Sequence, residues 1–109
     1  MARLTTRFWV DAYLTRLRLV GIPAFVVTHG DDTAGTVLVK LNTLDGQACL
    51  YQRGYDMLTD TRAWDVLVRD VEDVVDAAAA RQRGFDPDLW VIEVEDRQGR
   101  HLLDDPGLG

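Results

Sequence analysis

The chain reads as a single α+β domain: a mostly antiparallel sheet of about five strands with two helices on one face, in the order α-β-β-β-β-α-β. Three observations predict this. Apolar residues recur at spacings of three and four in the segments 6–20 and 71–83. They alternate at a spacing of two in most of the segments between and after these. Short runs of Gly, Asp, Asn and Thr join the alternating segments, as antiparallel neighbours require.

Thr5 or Thr6 can cap the first helix, in which Val10, Tyr13, Leu14, Leu17 and Val20 share a face opposite Asp11, Thr15, Arg16 and Arg18. Gly21 and Pro23 stop it. Ala24 to Thr28 is apolar and partly β-branched, a strand, and His29 to Gly35 is a loop. From Thr36 to Asn42, Val37, Val39 and Leu41 face one way and Thr36, Leu38, Lys40 and Asn42 the other, so one side is expected to be well buried. Asp45-Gly46 turns the chain into a third strand, Gln47 to Arg53.

Residues 54–70 admit two readings. Ala63, Trp64, Val66 and Leu67 fit a helical turn, whereas Trp64, Val66 and Val68 alternate as in a strand; the second is preferred. Asp70 can cap a second helix, Val71 to Arg83, with Val71, Val74, Val75, Ala78 and Ala79 as its apolar stripe and Gly84 as its end. Leu89 to Glu95 forms the last strand, hiding Trp90, Ile92 and Val94 and turning its glutamates the opposite way. Arg100 to Leu103 is read as a brief edge strand, the domain as 1–105, and 106–109 as a frayed tail.

Bulk chemistry narrows the function classes. A net charge of −6 repels phosphate backbones, and the basic clusters at Arg16 to Arg18 and Arg81 to Arg83 are short, so nucleic acid is disfavoured as a partner. Cys49 is the single cysteine and forms neither an internal disulfide nor a metal set with others. The N-terminus has no apolar signal core and no run is long enough for a membrane span, which predicts a cytoplasmic location without a membrane partner. Lys40 is the lone lysine among eleven arginines, and its composition-level explanation is genomic base usage.

Candidate binding residues cluster late in the chain: Arg81, Arg83, Asp86, Asp88, Trp90, Glu93 and Glu95. Glu93 and Glu95 lie two apart on a strand, so their carboxylates project together about 7 Å apart, the spacing that a shared divalent cation or a pair of arginines would use. Solvated pairing with Arg53, Arg62 or Arg100 is the plainer reading. Asp86-Pro87-Asp88 before Glu93-Val94-Glu95 invites comparison with restriction-type nucleases, but Glu95 stands where their lysine belongs. His29-Gly30-Asp31-Asp32 offers an imidazole beside carboxylates in what reads as a polar turn. Cys49 has no adjacent base to activate it, and no phosphate loop is present.

The runs Phe8 to Leu14, Gly30 to Lys40 and Arg81 to Asp96 together resemble a family of small uncharacterised bacterial proteins catalogued as a domain of unknown function. That resemblance implies a single-domain architecture and carries no chemistry. With no catalytic residue, metal set or cofactor motif identified, the expected function is a non-enzymatic binding or protein-interaction module. Its contact surface is the turn from Gly84 to Asp88 with Arg81, Arg83 and Trp90, and its expected partner is a second copy or another protein. The alternative is a metal-assisted hydrolase gathering Asp86, Asp88, Glu93 and Glu95 around Mg²⁺ or Mn²⁺.

Overall fold

A computed structural model describes residues 4–104, apart from the side chains of Tyr55, Asp56 and Thr61. The tail 106–109 lies outside the described residues. The elements run α1 (Thr6–Leu19), β1 (Ala24–Thr28), β2 (Val37–Asn42), β3 (Gln47–Asp56), β4 (Thr61–Val71), α2 (Glu72–Phe85) and β5 (Trp90–Glu95). The five strands form one sheet in the order β1-β5-β2-β3-β4. Pairing is antiparallel except between β2 and β5, which run parallel, so the sheet is mixed.

Thr5 caps α1 as expected, its hydroxyl accepting the Phe8 N–H. The next orphan donors, Thr6 N–H and Arg7 N–H, reach carbonyls of Thr33 and Asp32 in the loop after β1. Gly21, at φ +77°, ends the helix. Asp70 does not cap α2: the N-cap is Val71, without a side-chain bond, and the Glu72 N–H donates instead to the Gly46 carbonyl of the β2–β3 turn. Gly84 does not end α2 either, because a helical glycine costs only about 1 kcal/mol and the helix runs on to Phe85, before Pro87. Among the described residues, 100–103 form no strand.

The two helices lie on opposite faces rather than on one. Trp9, Val10, Tyr13 and Leu17 of α1 pack with Val37, Val39, Leu41, Trp90, Ile92 and Val94, whereas Val75 and Ala79 of α2 pack with Leu38, Ala48, Leu50 and Val91. The cause lies in the parallel pair. Joining β2 to a parallel neighbour requires a crossover that passes over one face, and α2 makes it; α1 covers the other. Every residue of β2 is consequently buried, including Lys40 and Asn42, the polar residues that made one side look solvated.

The expectation for β5 holds: Trp90, Ile92 and Val94 are buried against α1, and Glu93 points to the α2 side. Tyr13 ties the C-terminal segment to this core, its hydroxyl donating to the His101 carbonyl at 2.7 Å.

Candidate functional site

A five-stranded sheet is roughly 24 Å wide, and a helix with its side chains covers about 10 Å of it. On its face α2 lies over β4, β3 and the near side of β2. The β5–β1 half of that face stays open, as a groove of about 560 Å³ between α2 and β1. Register sets its floor: Lys40 pairs with Glu93, and Glu93 with Phe25, so these three residues stand side by side across β2, β5 and β1. Phe25 and Val27 are 47% and 52% exposed. Ala79, Ala80 and Arg83 of α2 form the facing wall.

Lys40, only 4% exposed, anchors the closed end of the groove. Its ammonium lies 2.6 Å from Asp76 Oδ1, 2.7 Å from Glu72 Oε2 and 3.1 Å from Glu93 Oε1. Asn42 Nδ2 donates to Glu72 Oε2 at 2.9 Å and to Glu93 Oε2 at 3.3 Å, fixing both carboxylates. Burial alone would lower the lysine's pKa, but hydrogen bonds to Asp76, Glu72 and Glu93 outweigh it and push the pKa well above the ordinary value. Lys40 therefore stays charged and is neither a base nor a nucleophile near neutral pH. One ammonium against three carboxylates leaves this end of the groove acidic.

Of the predicted site residues, the structure brings Arg83 and Glu93 into the groove. Arg83 Nε is buried and, among the described residues, has no hydrogen-bond partner. Arg81 is exposed two residues earlier. Asp86 turns the chain, its Oδ1 accepting the Asp88 N–H at 3.1 Å, and the Asp88 carbonyl accepts the Asp31 N–H at 2.9 Å. Glu95 follows Glu93 on the same strand and is half-buried, its N–H donating to the Pro23 carbonyl. Trp90 is 1% exposed and faces α1, so it does not join Arg81 and Arg83 in a contact surface; its Nε1–H donates to the Asp31 carbonyl at 2.8 Å.

The 29–35 loop behaves as a polar turn. Asp31 Oδ2 accepts the N–H groups of Thr33 and Ala34, and His29 Nε2 lies 2.6 Å from Asp32 Oδ1 with its ring 4.0 Å from that of Trp90. Cys49 is buried in the α1-side core. Among the described residues no group of three His, Cys, Asp or Glu side chains has the arrangement of a metal site, and no helix is long and apolar enough to cross a membrane.

Sequence reasoning missed Lys40, Phe25 and Val27 as site residues. Their signals were present: the only lysine stands inside the apolar run Val37 to Leu41, and Ala24 to Val27 is apolar at every position, as in a strand with both faces in use.

The sequence profile of a protein of unknown function, DUF1491, matches residues 4–104. The chain belongs to that family. The crystal structure of a DUF1491 family protein from Caulobacter crescentus CB15 is 42% identical, superposes with a TM-score of 0.86, and covers 95% of this chain and 98% of its own. An NMR structure of a DUF1491 family protein from the same organism is 41% identical, with a TM-score of 0.82 and 97% of each chain covered. Protein Atu0922 from A. tumefaciens is 28% identical, with a TM-score of 0.77 over 94% of this chain and 93% of its own. No curated protein matches the chain. The DUF1491 fold is thus shared, and the family brings no activity with it.

Proposed function

We propose that this DUF1491 chain is a non-enzymatic, cytoplasmic protein-interaction module whose contact surface is the groove between β1 and α2. The observation that carries this reading is the uncovered half of the α2 face. There Phe25 and Val27 are about half exposed, facing Ala79, Ala80 and Arg83 of α2 across the groove. Leaving such a surface in water forgoes about 25 cal/mol per Å² of apolar area, and a contiguous apolar patch of this kind typically marks an interface. A polypeptide supplies what the groove lacks in water, apolar side chains to cover Phe25 and Val27.

The test compares the wild type with a Val27→Asp/Arg83→Ala variant. Both are expected to fold, because the two residues lie at the rim rather than in the core. Circular dichroism checks this, and the variant is expected to lose proteins captured from a cell extract by the wild type. Equal capture by the two folded proteins refutes the reading. The carboxylates nearest the groove are held by Lys40 and Asn42, so millimolar Mg²⁺ or Mn²⁺ is expected to leave the Tm unchanged. A site filled at a hundred times its Kd would add about 2.7 kcal/mol, and a rise of that size would restore the metal-assisted alternative.

A further inference from the structure

We infer that the groove is filled by α2 of a second copy of this chain, in a two-fold dimer with both α2 helices antiparallel between the two sheets. This rests on the contact-surface reading above and names its occupant. The outward side of α2 is the first ground. A helix that ends its contacts at its own sheet normally turns polar residues to water. Here the exposed positions Ala77, Ala80 and Gly84, spaced by three and four, form a small uncharged row beside the exposed Asp73 and Arg81. Small residues on the outer side of one α2 are shaped to sit over Phe25 and Val27, the large residues left open on the other subunit's β1.

Charge supplies the second, independent ground. The first turns of α2 carry Glu72, Asp73 and Asp76 and its last turns Arg81 and Arg83. Two such helices side by side and antiparallel place the acidic end of each against the basic end of the other, as a self-complementary two-fold contact demands. The same arrangement sets the acidic surplus around Lys40 against the opposing arginines. A parallel arrangement would oppose like charges at both ends.

The experiment measures solution mass by sedimentation across a wide concentration range, with circular dichroism as the check on folding. The wild type is expected to be dimeric. Ala80→Glu, which adds a carboxylate to an exposed helical position, and Arg83→Glu are each expected to give monomers. The charge exchange Asp73→Arg/Arg83→Glu is expected to restore the dimer, a recovery that a merely destabilised fold would not show. A dimer that survives both single substitutions overturns the inference. So does a wild type that is monomeric throughout; if such a monomer still loses captured proteins in the Val27→Asp/Arg83→Ala variant, the groove remains a contact surface for a different protein.

Discussion

Lys40 is held by charge, so its removal is felt through the carboxylates it leaves behind. Glu93 is 13% exposed at its side chain and, among the described residues, has Asn42 as its partner besides the lysine, which makes it the carboxylate least able to turn to water. Breaking a buried pair from one side costs about 3–5 kcal/mol. Lys40→Met should lower stability by that order in urea unfolding, and Lys40→Met/Glu93→Gln should recover part of the loss, since the orphaned charge is then gone. Equal losses in the single and double variants would show that packing rather than charge sets the cost.

His101 gives a pH dependence of definite sign. Burial lowers its pKa below the ordinary 6.5, against an opposing push from Asp104, and its Nδ1 accepts the Leu103 N–H at 2.9 Å, a bond that only the neutral ring can accept. The unfolded chain therefore binds more protons than the folded one just below that pH, and stability falls as pH drops through 6.5 toward the folded value. His101→Asn, which keeps an acceptor and removes the titration, should flatten this part of the stability profile. An unchanged slope would assign it to another group.

At the scale of elements, the caps and stops of α1 were legible because they are local: a hydroxyl three residues before an amide, a glycine in the left-handed region. β4 was ambiguous for a reason that is not local. Its pairing with β3 shifts between Leu50 and Tyr51, so Val66 lies opposite Tyr51 but Val68 lies opposite Leu50, and the alternation changes face within the strand. Trp64 accordingly joins the α1-side core and Val68 the α2-side core, where the sequence placed them on one face.

Glycines separate elements that tolerate a methyl group from those that do not. A Cβ on Gly84 meets nothing within 4 Å, and Gly84→Ala should raise stability by about 0.5–1 kcal/mol through helix propensity. A Cβ on Gly30 would run into the Asp88 carbonyl and lie 2.7 Å from the Trp90 ring, pushing the loop off β5. Gly30→Ala should therefore cost about 1–3 kcal/mol, the range of overpacked sites. Thermal unfolding of the two variants is expected to shift in opposite directions.

For the whole molecule, element order could be read from the chain but the placement of the layers could not. That β5 inserts beside β2 rather than at an edge depends on pairing across about fifty residues of intervening chain, which no window of sequence contains. The misplaced second helix and the unseen groove follow from that one fact. Arg83 and Glu93 were found because they are charged near a strand; Phe25 and Val27 were not, because only the uncovered half-face sets them apart from core residues.

The same topology orders local stability. β2 and β5 are hydrogen-bonded on both sides, and each core cluster draws on both strands. The β3–β4 hairpin runs past its neighbour: β3 pairs with β2 only as far as Gln52, and beyond it the strand pairing of residues 53–56 is with residues 61–64. Opening the arm beyond Trp64, which stacks on Trp9 of the α1-side core, leaves both core clusters in place, whereas opening β2 exposes both faces of the sheet at once. Native-state hydrogen exchange should thus find amides of β2 and β5 opening only with global unfolding, and the cross-strand amides of the arm opening at a small fraction of that free energy. Arm amides as slow as those of Val39 and Ile92 would mean that some further contact holds the hairpin down.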